Sequence, residues 1–329
     1  MHLFNVYTKI KHGDDFVEIF FVILGLMAVI AVIVLTIVYI CFRMAFYAPR
    51  KKAADSDEIS LPKGSIYHPF HDSMRKWALQ TRAAPHKDFC ITSFDGLTLY
   101  GKYYEYSPDA PIEIMFHGYR GNAERDLSGG MQRCFKLKRN ALIVDQRCSG
   151  RSEGNVISFG INEHRDCLGW VDFVVNTFGK DVKIILTGIS MGAATVLMAA
   201  GKPLPPNVVG VLADCGYSSP REIIMKVMRD MKLPPKLCYP FVKLGAKVFG
   251  HFDLEEYSPC EAVAHCKVPV IFFHGDDDRF VPCQMSKVNF DACKSRKKLV
   301  TVKGAGHGMC CLMDPDTYYS SLEEFFSGI

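Results

Sequence analysis

The pentapeptide Gly188–Gly192 (GISMG) contains the residues whose types and spacing most clearly point to chemistry. It matches the G-x-S-x-G pattern, with an apolar run (182–186) before it and an alanine-rich run (193–200) after it. A strand followed by a helix predicts a tight, strained turn that exposes the hydroxyl of Ser190 above a sheet. Serine is also a common N-cap residue, so the turn alone leaves a structural role open. The hydroxyl becomes a nucleophile only when a base lies nearby.

Two later segments supply a candidate base and a candidate acid. A predicted strand at 268–273 ends in HGDDDRFVP (274–282), and another at 299–302 ends in GAGHG (304–308). Because the carboxyl ends of parallel strands meet at one edge of a sheet, side chains that follow them can converge there. We predict that His307 is the general base for Ser190 and that a carboxylate of the first loop orients its ring.

This set of motifs resembles that of the α/β-hydrolase superfamily, in particular its bacterial lysophospholipase-like, monoglyceride-lipase-like and serine-aminopeptidase-like serine hydrolases. The resemblance extends from about Asp88 to the C-terminus. In that family the triad acid lies four positions after the histidine of H-G-x-x-D, which maps here onto Asp278. Its neighbour Asp277 is the alternative. A minority of such hydrolases carry the acid one strand earlier, at the position of Asp214.

The resemblance also implies an oxyanion hole. A predicted strand at 112–116 is followed by HGYRGN (117–122). By resemblance, the backbone N–H groups of Tyr119 and Met191 donate to the oxygen that becomes negative in the tetrahedral intermediate, each contributing roughly 3–4 kcal/mol. His117 and His274 are implied to support the site from beneath. The resemblance implies no cofactor.

The segments that must position these residues alternate between strand and helix. Such alternation predicts an α/β-hydrolase fold, with a mostly parallel sheet and helices on both faces, which we place at 86–329. At about 217–257 the alternation stops. A small helical cap is predicted there, because apolar residues recur at helical spacing: Ile224, Val227, Met228, Phe241, Leu244 and Val248. Caps of similar hydrolases shape the substrate pocket; the alternative is that both apolar stripes only pack the cap onto the body.

The N-terminal part predicts a transmembrane helix. Residues 19–42 are 24 consecutive residues without a charge. As a helix they would be roughly 36 Å long, enough to cross a hydrocarbon core of about 30 Å. The run is too long for the core of a signal peptide, and a buried core helix is the alternative. Residues 1–18 precede this helix, and residues 43–85 are predicted to be a linker.

Charge and cysteine content indicate a compartment. Four basic residues follow the span: Arg43, Arg50, Lys51 and Lys52. Residues of both charges precede it, so the positive-inside tendency predicts that the catalytic domain lies in the cytoplasm. Thirteen cysteines without a framework spacing favour the same reducing compartment. The sequence has no C-x-x-C or H-E-x-x-H pattern, so we expect no metal. A net charge of +4 without a basic and aromatic run gives no sign of nucleic-acid binding.

We therefore predict a single-pass, membrane-anchored serine hydrolase of the esterase or lipase type. It would cleave carboxylic esters through an acyl-enzyme formed by Ser190, His307 and Asp278, without a cofactor. The leading substrate is a lipid-derived acyl ester such as a monoacylglycerol or lysophospholipid. One alternative is an aminopeptidase-like hydrolase of peptides or amides. Another is a noncatalytic interaction module that keeps the hydrolase fold.

Overall fold

The computed structural model describes residues 2–49 and 59–328. Arg50, Lys51 and Lys52, which enter the orientation prediction, lie outside the described residues. Within the described residues, eight strands form one sheet in the order β1-β2-β4-β3-β5-β6-β7-β8. Their bounds are β1 Lys87–Thr92, β2 Thr98–Tyr104, β3 Ile112–Phe116, β4 Asn140–Val144, β5 Ile184–Ile189, β6 Val208–Asp214, β7 Val270–Gly275 and β8 Lys297–Val302.

Most of the sheet is parallel. Strands β1 and β2 form an antiparallel hairpin, which turns at Gly96 with φ at 87°. Strand β2 also pairs antiparallel with β4, whereas β4, β3, β5, β6, β7 and β8 are parallel to their neighbours. The carboxyl ends of these six strands therefore meet at one edge, and the predicted α/β-hydrolase fold is confirmed.

Helices bury both faces of the sheet. On β3, Ile114 joins a cluster with Trp170, while the next residue, Met115, joins a cluster with Leu127 on the other face. The helices of the described chain are α1 His2–Ala45, α2 His71–Ala83, α3 Ala123–Lys136, α4 Glu163–Phe178, α5 Met191–Ala200, α6 Pro220–Asp230, α7 Pro235–Phe249, α8 Pro259–Val263, α9 Cys283–Ala292, α10 Cys310–Met313 and α11 Pro315–Phe325, with a 3₁₀ helix at Ser65–Phe70.

Helix α1 contains the predicted span. Its segment Val17–Ala45 is long and apolar enough to cross a membrane, by length and composition. Most of its side chains are exposed in the isolated protein, but Val38, Phe42 and Phe46 are buried against the body. The exposed part therefore has the composition of a membrane anchor or of a signal sequence, and its last turns are part of the folded domain.

The cap segment contains α6 and α7, as the helical spacing predicted. On α6, Ile224 and Met228 are buried. On α7 the expected apolar stripe exists, but Leu244 and Val248 on it are exposed, whereas Tyr239, Val242 and Ala246 are buried. Helix α7 has apolar residues on two adjacent faces, and spacing alone does not tell which face meets the body.

A buried ion pair network crosses from the sheet to α3. Glu113 of β3 is fully buried and accepts hydrogen bonds from Arg133 at 2.5 Å and from Arg139 at 2.6 Å. The hydroxyl of Thr187 on β5 donates to the same carboxylate at 3.0 Å. Burial alone would raise the pKa of Glu113, but the two guanidinium groups outweigh it and lower the pKa to about 2.

We predict that Glu113→Gln lowers the free energy of unfolding by about 3–5 kcal/mol, because it leaves two buried cations without their counter-charge. Chemical denaturation of the full chain in detergent micelles measures this. The matched control is Glu105→Gln, since Glu105 makes an exposed ion pair with Lys87 and should contribute at most about 1 kcal/mol. Similar losses for both variants would contradict the prediction.

The ion pairs of Glu113 also make the free energy of unfolding depend on pH. Because the folded pKa of Glu113 lies below its ordinary value, its contribution is fully present above about pH 4.5. It is lost as the pH falls towards about 2.

Candidate active site

Ser190 lies on a strained turn between β5 and α5. Its φ is 57° and its ψ is −117°, a conformation rarely adopted by a residue with a side chain. A Cβ at Gly188 would collide with the carbonyl oxygen of Gly192, and a Cβ at Gly192 would collide with that of Phe116. Both glycines are therefore required for the close approach. Although Ser190 precedes α5, its side chain makes no capping hydrogen bond.

The side chains of Ser190, His307 and Asp278 form a continuous chain of hydrogen bonds. His307 Nε2 lies 2.9 Å from Ser190 Oγ, and His307 Nδ1 lies 2.7 Å from Asp278 Oδ2. With Nδ1–H donating to the carboxylate, Nε2 is free to accept the proton of the Ser190 hydroxyl. Three residues predicted from separate motifs thus lie in one site.

Asp278 is held in place by four groups. Its Oδ1 accepts the backbone N–H groups of Phe280 and Val281, each at 2.9 Å. Its Oδ2 lies 3.2 Å from His274 Nε2, in addition to its contact with His307. Burial alone would raise the pKa of Asp278, but the hydrogen bonds from His274 and His307 hold it well below its usual range. The carboxylate therefore stays ionised at neutral pH.

The two alternative acids point elsewhere. Asp277 is exposed, and its carboxylate pairs with Arg279 at 3.1 Å. Asp214 is buried, and its Oδ2 accepts a hydrogen bond from the Tyr318 hydroxyl at 3.0 Å. Neither carboxylate is hydrogen-bonded to His307, so the geometry favours Asp278 over both.

The loop after β3 lies directly beside Ser190. A Cβ at Gly118 would lie 3.5 Å from the Cβ of Ser190. Within the described part of the chain, the backbone N–H groups of Tyr119 and Met191 have no hydrogen-bond acceptor. Two unused donors from the segments flanking Ser190 are what an oxyanion hole requires.

His117 and His274 both support the site through backbone contacts. His117 Nε2 accepts the N–H of Gln146 at 3.0 Å, so its Nδ1–H donates to the carbonyl of Gly118 at 2.8 Å. His274 Nε2 lies 2.8 Å from the carbonyl of Val281. Each ring thus fixes a loop that carries a site residue, as the resemblance implied.

The loop after β3 (117–122), which carries the proposed oxyanion donor of Tyr119, is also tied to the end of α1. Sequence reasoning missed this contact. The hydroxyl of Tyr119 donates to the carbonyl of Ala45 at 2.7 Å. The guanidinium of Arg120 donates to the carbonyls of Met44 and Tyr47 at 2.9 and 3.1 Å. The last carbonyls of a helix have no partners within it, so these two side chains satisfy the end of α1. The sequence signal is weak: a tyrosine and an arginine in a loop.

A pocket of about 250 Å³ opens at Ser190 and His307 and extends between the sheet, α2 and α3. Tyr67, Met74 and Trp77 form one wall, and the Tyr67 hydroxyl donates to the carbonyl of His307 at 2.9 Å. No residue of 217–257, a segment described throughout, lines this pocket. Of the two alternatives for the cap, packing onto the body therefore fits this pocket better, and residues assigned to the linker form part of its wall.

Part of the pocket lining is polar and buried. It includes Arg133, Asp214 and Tyr318. Among the described residues, Asp214 Oδ1 and Arg133 Nε are buried without a hydrogen-bond partner. Burial raises the pKa of Asp214. The lining therefore combines apolar side chains, such as Met74 and Trp77 of α2, with buried polar ones.

One group of side chains has the composition of a metal site. Ligand atoms of Cys215, Asp278 and His307 lie within 4.8 Å of one another. Burial raises the pKa of the Cys215 thiol well above its ordinary value, so the thiolate that binds metals is disfavoured. Both ring nitrogens of His307 already have partners in Asp278 and Ser190. This chemistry fits a proton-transfer site better than a metal site.

Comparison with known proteins identifies the class. A model of the alpha/beta hydrolase family matches residues 114–320, more than half of the chain. The chain therefore belongs to the alpha/beta hydrolase family.

Individual relatives are distant. The chain is 27% identical to the uncharacterized protein YqkD of Bacillus subtilis, over 73% of this chain and 79% of that protein. It is 24% identical to the bifunctional esterase/perhydrolase DCH of Acinetobacter calcoaceticus, over 67% of this chain and 92% of that protein. The solved esterase Pf2001 of Pyrococcus furiosus superposes with a TM-score of 0.63, at 20% identity over 85% of this chain and 98% of that one. At that identity the likeness shows the fold alone.

We predict that Asp278→Asn lowers kcat for a chromogenic ester on the order of 10⁴-fold, because the amide favours the wrong tautomer of His307. The matched control is Asp277→Asn, one residue away, which should leave kcat unchanged. Steady-state kinetics on both variants decides between the two positions. A large loss in Asp277→Asn with little loss in Asp278→Asn would reverse the assignment.

Proposed function

We propose that this protein is a membrane-anchored serine hydrolase that cleaves carboxylic esters through a covalent acyl-enzyme. The observation that carries the proposal is the unbroken chain of contacts from Ser190 Oγ through His307 to an ionised Asp278, with Ser190 and His307 lining a pocket. A noncatalytic fold would have no reason to keep Ser190 in a strained conformation with its hydroxyl bonded to an imidazole.

In the proposed mechanism, His307 Nε2 takes the Ser190 proton as Oγ attacks the ester carbonyl carbon. The carbonyl oxygen becomes an oxyanion and accepts the N–H groups of Tyr119 and Met191. Collapse of this intermediate breaks the bond to the alcohol, which leaves with the proton from His307. Water then attacks the acyl-serine with His307 again as base, and the acid departs. Asp278 stabilises the imidazolium formed in each half.

The pocket supports an acyl group of short to medium length. Its volume of about 250 Å³ is slightly below the usual range of about 300–1,000 Å³ for small-molecule sites. Trp77 and Met74 offer an apolar wall near the serine, but a long hydrocarbon chain would reach Arg133 and Asp214. Placing apolar atoms against buried polar groups without partners is costly. We propose lipid-derived esters whose acyl group ends before that point.

The proposed setting is the cytoplasmic face of a membrane, with α1 as the anchor. Its apolar segment is long enough to span, and its last turns pack on the hydrolase domain. All thirteen cysteines lie in the described residues and are free thiols, several of them buried. This supports a reducing compartment for the domain.

A fluorophosphonate probe tests the proposed catalysis. We expect the full chain to be labelled and Ser190→Ala not to be labelled, because the probe reacts only with an activated serine. Ser128→Ala is the control, since Ser128 lines the same pocket but its hydroxyl bonds the carbonyl of Glu124; it should be labelled like wild type. A folded wild-type protein that takes no label would favour the noncatalytic module.

The wall formed by α2 makes a second prediction. We expect Trp77→Ala to shift the preference among p-nitrophenyl esters towards longer acyl chains, because the indole ring packs against Gly129 and closes that side of the pocket. Leu79→Ala, at an exposed position of the same helix, is the control and should keep the wild-type preference. The ratio of kcat/KM between a long and a short ester is measured. An unchanged ratio in Trp77→Ala would place the acyl group elsewhere.

A further inference from the structure

Helix α7 packs on α1 at the point where the apolar run of α1 ends. The ring centroid of Phe249 lies 5.2 Å from that of Tyr39 and 5.7 Å from that of Phe42. At Gly245 the backbones approach so closely that a Cβ would lie 2.9 Å from the carbonyl oxygen of Val38. Small residues at such crossings are typical of membrane helix contacts. Helix α7 thus lies at the depth where the proposed span ends.

Contacts between the two helices involve the last turns of the α1 span. Gly245 lies against Val38 and Phe42, and Phe249, four residues further along α7, contacts Tyr39 and Phe42. Cys238 lies seven positions before Gly245 and therefore on the same face of α7.

A row of exposed apolar side chains lies on the side of α7 that faces away from the body. Leu237, Leu244 and Val248 are all exposed. Each precedes an α1-facing residue by one position, so the row lies about 100° around the helix from α1. Tyr239 and Ala246, which are buried against the body, lie on the opposite side. The row therefore faces the side on which the rest of α1 continues.

Lysines form a third row beside the apolar one. Lys236, Lys243 and Lys247 each precede a residue of the apolar row by one position, on the side away from α1. Lys236 and Lys247 are exposed, and Lys243 forms an ion pair with Glu255. A helix with an apolar face and flanking lysines has the composition of one that lies in a membrane interface.

We infer that Leu237, Leu244 and Val248 form a membrane-docking surface, whose occupant is the phospholipid leaflet that contains the C-terminal end of the α1 span. The three side chains enter the boundary between headgroups and acyl chains, while the lysines meet anionic headgroups. This inference rests on the proposed anchoring by α1. The docking surface adds a second contact with the bilayer besides the α1 span. Two contacts fix the orientation of the hydrolase domain relative to the membrane.

Quenching of tryptophan fluorescence by brominated phospholipids tests this surface in the full chain reconstituted into nanodiscs. The test variant is Leu244→Trp, at a side chain 40% exposed, with Val248→Trp as a second position. The control is Tyr106→Trp, 44% exposed, because Tyr106 lies beside the first residue of β4, at the sheet edge opposite the site. Val29→Trp, in the middle of the proposed span, reports the anchor. Wild type gives the background from Trp77 and Trp170.

We expect the emission added by Leu244→Trp to be lost in brominated lipid, more strongly with bromine near the headgroup end of the acyl chain than near its methyl end. The emission added by Tyr106→Trp should be retained. Quenching of Val29→Trp without quenching at residues 244 and 248 overturns the docking surface and leaves the anchor intact. This result is also the one expected if a second copy of the chain or another protein, and not lipid, covers the apolar row. Absence of quenching at Val29 overturns the anchor and the docking surface with it.

Discussion

Two backbone segments, the loop after β3 and the turn from β5 into α5, approach one another, and this contact is the constraint on which the site depends. Gly192 lies against the carbonyl oxygens of Phe116 and His117, and Gly118 lies against Ser190. No side chain fits between these segments, so the turn at Ser190 takes a left-handed conformation that the surrounding sheet must stabilise. The register that pairs Phe116 with Gly188 brings the oxyanion loop and the serine to the same level. The proposed nucleophile and donors are therefore positioned before any substrate binds.

The end of α1 belongs to the same arrangement. Tyr119 offers its backbone N–H to the proposed oxyanion hole and its hydroxyl to Ala45, so one residue joins α1 to the site. Phe46 adds a packing contact, with its ring 5.3 Å from that of Phe252 and 5.8 Å from that of Phe159. A helix that only attached the protein to a membrane would need neither contact. The hydrogen bonds at its last carbonyls make the position of α1 part of what holds the oxyanion loop.

Sequence reasoning found the side chains that follow strand ends, because each motif is local and the parallel sheet brings strand ends together. Sequence reasoning could not choose between Asp277 and Asp278, because the direction in which each side chain points depends on how the loop folds. In the structure, the N–H groups of Phe280 and Val281 hold the carboxylate of Asp278 in the site. Sequence reasoning also assigned residues 43–85 to a linker and did not predict that part of this segment lines a pocket. The composition of α2 is polar overall, and only Trp77 and Met74 reveal that one face covers a pocket. For the apolar stripe on α7, the sequence left open whether it shapes the pocket or packs the cap onto the body, because an apolar stripe looks the same whatever covers it.

The cap and the linker segment lie in different places, and this bears on how a substrate from the bilayer would reach Ser190. The cap contributes nothing to the pocket wall and instead packs on α1, so its proposed role is to hold the domain against the membrane. The wall comes from Tyr67, Met74 and Trp77, which the chain reaches only after leaving α1. Both elements are thus attached to the same anchor, one by packing and one by chain connection. In this proposal, α1 determines both the distance between the site and the lipid and the position of the pocket wall that an ester leaving the leaflet would meet. In the same proposal, acyl selectivity and the orientation of the domain on the membrane depend on separate side chains, Trp77 for the first and Leu244 for the second.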